Sequence, residues 1–215
     1  MVTLEPGVAG YPADRLQAAG LDVRAVTARG DVGLLTRARL VALFCSVRCP
    51  GRIIVQTYDL ARKLRDAGVA VIGGFQSPIE KDCLELLLRG KQPVIVCPAR
   101  GLEAMRLPAT WKAALDEGRL LLLSPFEEKM RRPTAELALA RNEFAAALAD
   151  EVLIAYAEPG GKTEAFARKV MSWGKPVLTL EGPENAGLVD LGARAVTPGV
   201  TPYGPPFDRL RAGSS

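Results

Sequence analysis

The sequence predicts an α/β fold, a single Rossmann-like, doubly wound, mostly parallel sheet with helices on both faces. Two observations carry this. From Leu40 to Val196, apolar runs of strand length alternate with amphipathic helical stretches, and the connections are short, about two to six residues. The runs themselves, such as Leu40–Cys45 (LVALFC), are continuously apolar, as expected of strands covered on both faces.

Residues 1–38 read as an irregular lead-in packed on the domain. Tyr11-Pro12, Gly20, Gly30 and Gly33 punctuate it, and only Leu21–Val26 suggests a strand. The domain proper spans 39–197. Its first strand, Leu40–Cys45, is followed by the turn Ser46–Gly51 and a helix over Ile53–Ala67 that ends at Gly68, a residue suited to closing helices. Val69–Ile72 is the second strand. Ser77-Pro78-Ile79-Glu80 is a capping box with proline at the first helical position, so a helix runs over Pro78–Arg89.

Pro93–Cys97, a helix near Pro108–Glu117 and the strand Leu120–Leu123 continue the alternation. Arg131-Arg132-Pro133 limits any helix opening at Ser124 to one turn. An Ala/Leu-rich helix carrying Arg141 and Asn142 then leads to the strand Val152–Ala157, a tight turn and a second amphipathic helix. Val177–Leu180, a short helix near Ala186–Leu191 and a strand at Arg194–Val196 close the series. Residues 198–215, with four prolines and a Gly-Ser-Ser end, read as a tail.

Composition bounds the chemistry. With 215 residues, 48% apolar and 24% charged, the chain can bury a full core as one domain. The net charge of +4 and pI near 9.0 permit a phosphate-bearing partner without demanding one. Histidine is absent, which excludes a Ser-His-Asp triad, a Cys-His pair and histidine metal ligands. The four cysteines form no C-x-x-C pair and read as small buried hydrophobes, with neither metal nor cofactor called for. The start of the chain lacks the basic and apolar regions of a signal peptide, and no apolar run reaches the roughly 18 residues of a membrane span. A cytoplasmic protein with reduced thiols and no membrane partner is expected.

In a doubly wound sheet, ligands bind beyond the carboxyl ends of the strands. The turns after the strands therefore form one rim, which supplies the candidate site. Pro159-Gly160-Gly161-Lys162-Thr163 delivers a strand onto a helix N-terminus, where free N–H groups and the helix dipole favour an anion. It is not a Walker A loop, because Tyr156 stands where that motif needs glycine. Ser46, Arg48, Gly73, Gly74, Phe75, Ser77 and Arg100 share the rim, with Phe75 able to stack a base or anchor its loop. Arg141 lies beside the apolar face of its helix with Asn142 next to it, as a phosphate clamp or a structural ion pair. Glu80 does capping-box work, and Glu164 lacks a partner acid for catalysis.

These turns resemble the DNA-processing protein A (DprA/Smf) family, within a superfamily that includes the Lonely guy (LOG) phosphoribohydrolases. The match runs from about Tyr11 to Val196. Tyr11-Pro12 and Arg29-Gly30-Asp31 look like the segment leading into the family's Rossmann domain. LVALFCSVRCPG resembles its first strand and Gly-Ser-Arg turn, with Cys45 in place of the glycine and Arg48 displaced by one residue. Arg141-Asn142 resembles its RN pair, and EPGGKTEA is similar both to its Ser-Gly-Ser…Thr turn and to a shortened LOG motif.

The resemblance implies binding of single-stranded DNA without catalysis, assembly as a homodimer and service to a recombinase. Its alternative implication is a LOG-like protein that senses or hydrolyses a nucleotide monophosphate, with Glu164 the loosely matched catalytic residue. No winged-helix pattern follows the domain and no helical domain precedes Tyr11.

Overall fold

The computed structural model describes residues 1–37 and 39–197; the tail expected over 198–215 lies outside them. In chain order the elements are β1 (Val2–Leu4), α1 (Ala13–Ala18), β2 (Val26–Gly30), α2 (Leu34–Arg37), β3 (Leu40–Phe44), α3 (Gly51–Asp66), β4 (Ala70–Gly73), α4 (Pro78–Leu88) and β5 (Val94–Val96). They continue with α5 (Ala109–Asp116), β6 (Leu120–Ser124), α6 (Ala135–Leu148), β7 (Glu151–Ile154), α7 (Lys162–Ser172), β8 (Val177–Leu180), α8 (Ala186–Asp190) and β9 (Arg194–Val196).

All nine strands form one sheet in the order β1-β2-β6-β5-β4-β3-β7-β8-β9. The run from β6 to β9 is parallel, and β1 and β2 pair antiparallel at one side. The strand pleat divides the core. In β3, Leu40, Ala42 and Phe44 face a layer built with Phe144, Phe166 and Val170 from α6 and α7. Val41 and Leu43 face the opposite layer, with Leu60, Leu64, Leu84, Leu87 and Ala114 from α3, α4 and α5. Side chains two apart share a face, so a strand apolar at every position serves both layers. Phe44 and Phe166 meet edge to face at 4.9 Å between centroids, tying α7 to the central strand.

The lead-in is not irregular. Residues 1–37 contribute two strands and two helices, and the strand suggested at Leu21–Val26 instead begins at Val26. β2 reads Val-Thr-Ala-Arg-Gly, in which Val and Thr favour a strand and Ala and Gly do not. Its pairing with β6, Thr27 to Ser124 through Gly30 to Leu121, imposes the extended backbone. Val26 and Ala28 bury against the α6 layer, so tertiary contact decides what local preference leaves open.

Gly30 ends β2 at φ 118°, and a Cβ there would stand 2.4 Å from the Leu120 carbonyl oxygen. Gly30→Ala is expected to cost about 2 kcal/mol or more through backbone strain and the clash. Urea denaturation checks this; an unchanged midpoint would mean that β2 pairs more loosely with β6 than described.

Candidate functional site

β3 is the pivot of the sheet. The chain leaves it through β4, β5 and β6 on one side and returns to β7 on the other, so the strand order reverses between β3 and β7. The turns after these two strands meet there. Ser46 N–H donates to the Tyr156 carbonyl at 3.0 Å, and Glu158 N–H donates to Ser46 Oγ at 3.1 Å. Ser46 is thus a buried tie between the turns.

A single carboxylate joins the turn after β3 to the turn after β4. Glu80 Oε1 accepts from Cys45 N–H at 3.0 Å, while Oε2 accepts from Gln76 N–H at 2.9 Å and Ser77 N–H at 3.4 Å. Ser77 Oγ accepts from Glu80 N–H, completing the capping box expected from the sequence. Its second use, holding Cys45, has no sequence signature because the partner is thirty-five residues away.

Arg141 is 3% exposed. Its guanidinium donates to Asn142 Oδ1 at 2.7 Å, to the Cys97 carbonyl at 3.0 Å and to Gln76 Oε1 at 2.8 Å. Burial lowers its pKa from the ordinary value, with the charge of nearby Glu80 opposing that shift. The group braces the ends of β4 and β5 through neutral partners, so the structural ion pair considered from the sequence is replaced by a hydrogen-bonded brace. Gly74 makes room for it, since a Cβ there would lie 1.7 Å from Nη1. Sequence reasoning missed Gln76, whose side chain holds the guanidinium.

The turn after β7 ends at Gly160, with φ 69°, and Gly161 caps α7 without a side-chain bond. Among the described residues, no acceptor in the chain takes the N–H groups of Lys162, Thr163 and Glu164. Glu164 Oε2 accepts from Gly160 N–H at 3.0 Å, and Oε1 pairs with Arg168 at 2.9 Å. The Arg168 hydrogen bond, and then that N–H, hold its carboxyl below the ordinary value. A carboxylate so engaged is a poor general base.

A cleft of about 450 Å³ opens over this meeting point. Its lining includes Cys45, Val47, Gln76, Ser77, Glu80, Leu139, Arg141, Asn142, Lys162 and Thr163. Arg141, Asn142, Ser77, Lys162 and Thr163 therefore line one cleft. Ser46, Gly73 and Gly74 support the turns, and Pro159, Gly160 and Gly161 shape the approach to α7. Arg48 is exposed on the adjoining turn.

Two expected residues go elsewhere. Arg100 does not line the cleft; its carbonyl accepts from Ser124 Oγ at 2.7 Å. Phe75, at φ 49° and 4% exposed, packs in the core layer of α3, α4 and α5, so it anchors its loop instead of presenting a stacking face. The apolar rim of the cleft comes instead from Val47, 71% exposed, and Leu139, 49% exposed. A larger cleft, about 630 Å³, lies between β2 and α6. Its charged lining is Asp22, Glu127, Glu128, Glu143 and Arg24, with Glu127 and Glu143 paired to Lys129 and Lys169 beside it.

Replacing Glu80 by Ala leaves the buried N–H of Cys45 and the part-buried N–H of Gln76 without their acceptor. The expected cost is about 3 kcal/mol, with faster amide exchange at both positions in hydrogen-exchange measurements. Unchanged protection at Cys45 would show that the carboxylate does not hold that turn.

The family model for DNA recombination-mediator protein A matches residues 5–196. No curated protein sequence matches the chain significantly. Among solved structures, DNA processing protein A (DprA) from Streptococcus pneumoniae is 20% identical with a TM-score of 0.74, over 91% of this chain and 71% of the other. DNA processing protein A from Helicobacter pylori, described for a unique single-stranded DNA binding mode, is 22% identical with a TM-score of 0.72, over 90% and 89%. The molybdenum cofactor binding protein of Rippkaea orientalis, at 13% identity and a TM-score of 0.53 over 76% and 93%, shares the fold alone. The agreement of the family model over nearly the whole described chain identifies it: the chain belongs to the DNA recombination-mediator protein A family.

Proposed function

We propose that the chain is a non-catalytic DNA-processing protein that binds single-stranded DNA across the cleft between the β3 and β7 turns. The observation that carries this is the free N-terminus of α7 joined to Lys162 and Thr163 at the point where the strand order reverses. One backbone phosphate is held by the N–H groups of Lys162 and Thr163, with the Lys162 ammonium adding charge. Arg141 and Asn142 line the opposite wall, and Arg48 extends the basic surface along the β3 turn. Val47 and Leu139 offer apolar contact to base faces. Arg131 and Arg132, exposed in the loop before α6, lengthen the track for a following phosphate.

Family membership supports DNA as the ligand, as does the single-stranded DNA binding described for the Helicobacter pylori protein. The nucleotide-hydrolase alternative gains no support from Glu164, which caps its own helix and pairs with Arg168. The reading extends to a homodimer that passes its DNA to a recombinase in the cytoplasm. Among the described residues, no helix is long and apolar enough to cross a membrane.

The test is fluorescence anisotropy of labelled oligo(dT) at several salt concentrations. Binding should weaken linearly in log–log form with salt, and Lys162→Ala and Arg48→Ala should each lower the slope by about 0.7. Each should also weaken binding about tenfold at low salt, worth about 1.4 kcal/mol. Unaltered affinity in both variants, or no binding by the folded protein at low salt, would refute the cleft as the DNA site. Analytical ultracentrifugation with and without the oligonucleotide reads the dimer.

A further inference from the structure

The chain leaving β7 has its backbone groups taken up one after another, and from two sides. On the β3 side, Ala155 N–H donates to the Phe44 carbonyl at 2.9 Å. The Tyr156 carbonyl accepts from Ser46 N–H, and Glu158 N–H donates to Ser46 Oγ. On the other side the partners are two side chains, one in β8 and one just after it. Thr179 Oγ1, fully buried, donates to the Ile154 carbonyl at 2.8 Å. Asn185 Nδ2 donates to the Ala155 carbonyl and to the Leu180 carbonyl, each at 2.9 Å.

Asn185 is 1% exposed and closes a single 3-10 turn, Pro183–Asn185, between β8 and α8. Two carbonyl oxygens face its amide, so the nitrogen with its two hydrogens must point at them. One hydrogen reaches the end of β7 and the other the end of β8. Oδ1 has no partner among the described residues. A buried acceptor of that kind opposes folding, so the side chain acts through its two donors. The turn that carries it is itself anchored to α3: Arg52 Nε and Nη2 donate to Glu184 Oε1 and Oε2 at 3.0 and 2.8 Å. Gly182 leaves the room that the Arg52 guanidinium occupies. Asn185 is not among the residues that line the cleft.

We infer, on the reading of the cleft as the DNA site, that Asn185, assisted by Thr179, is a positioning residue for DNA binding. It sets the direction in which the β7 turn presents the N-terminus of α7 to a phosphate. N–H groups hold an anion only when they converge on it, and the strand and turn that feed a helix decide where its first N–H groups point. Past Glu158 the turn is closed by Gly161 N–H on the Glu158 carbonyl and by Gly160 N–H on Glu164. Both bonds lie within the turn and helix, so they move with α7 and cannot aim it. The aim comes from the sheet, through Ser46 on one side and Asn185 with Thr179 on the other. Without the Asn185 amide the turn is held chiefly from the β3 side, and the cost of ordering it falls on binding.

The test compares oligo(dT) anisotropy across salt concentrations for the full wild-type chain and for Asn185→Leu, Thr179→Val and Gly30→Ala. Leucine and valine stay close to the original volumes and remove the donors. Asn185→Leu should weaken binding about fivefold. Its salt slope should match the wild type, because no charge that neutralises phosphate is lost; Lys162→Ala, by contrast, lowers the slope. Thr179→Val should act in the same way to a smaller degree. Without DNA, Asn185→Leu should displace the amide resonances of Gly161, Lys162 and Thr163. Gly30→Ala, destabilised on the far side of the sheet, should bind as the wild type does. Wild-type affinity in Asn185→Leu and Thr179→Val overturns the inference, as does an equal loss in Gly30→Ala, which would make affinity follow stability. Thr179→Val decides the matter where Asn185→Leu does not fold. A folded wild type that fails to bind refutes the DNA reading and takes this inference with it, an outcome distinct from binding that the variants leave unchanged.

Discussion

Glu80 holds three backbone N–H groups from two different turns with one buried carboxylate. Parallel strands deliver their chain ends to a common edge, but nothing in the ladder fixes how the following loops sit relative to one another. A side chain that accepts from both loops supplies that missing constraint, and charge makes each such bond stronger than a neutral one. The Cys45 bond aligns the β3 turn, and the Gln76 bond aligns the β4 turn. Gln76 in turn grips Arg141 on α6. Three elements distant in sequence are thereby set around one cleft.

Arg141 illustrates how a residue that looks like a ligand clamp can be committed first to architecture. Its hydrogen bonds reach Cys97, Gln76 and Asn142 before any ligand arrives, and Gly74 has no side chain where its guanidinium lies. It still gives the cleft wall a positive charge. Lys162 and Arg48, exposed and less committed, provide charge that a phosphate can neutralise by contact. The two clefts thus differ in their charged groups, Arg141 and Lys162 with Glu80 in the smaller one and Arg24 with four carboxylates in the larger.

The doubly wound fold was legible because its strands between Leu40 and Val196 are short and apolar and its turns carry glycine, proline and caps. The Ser77 capping box and the position of α4 followed from four residues. Where pairing and not pattern makes the strand, the sequence misplaced or missed it: β2 pairs with β6, and β1 pairs in turn with β2. The rim was legible as a set of turns, but the direction of each side chain was not. Phe75 takes a positive φ and turns inward, which no periodicity signals for a single loop residue. Arg100 likewise follows its strand yet stays out of the cleft. The contacts of Glu80 and Gln76 across the rim arise only when the sheet is assembled.

The most direct measurement of the central claim is a backbone amide chemical-shift map of the protein titrated with unlabelled oligo(dT). The largest changes are expected at Gly161, Lys162 and Thr163 and along Ser46-Val47-Arg48, with the surroundings of Asp22, Glu127 and Glu143 unmoved. Shifts concentrated around the acidic cleft, with the α7 N-terminus unaffected, would contradict the assignment of DNA to the β3–β7 junction.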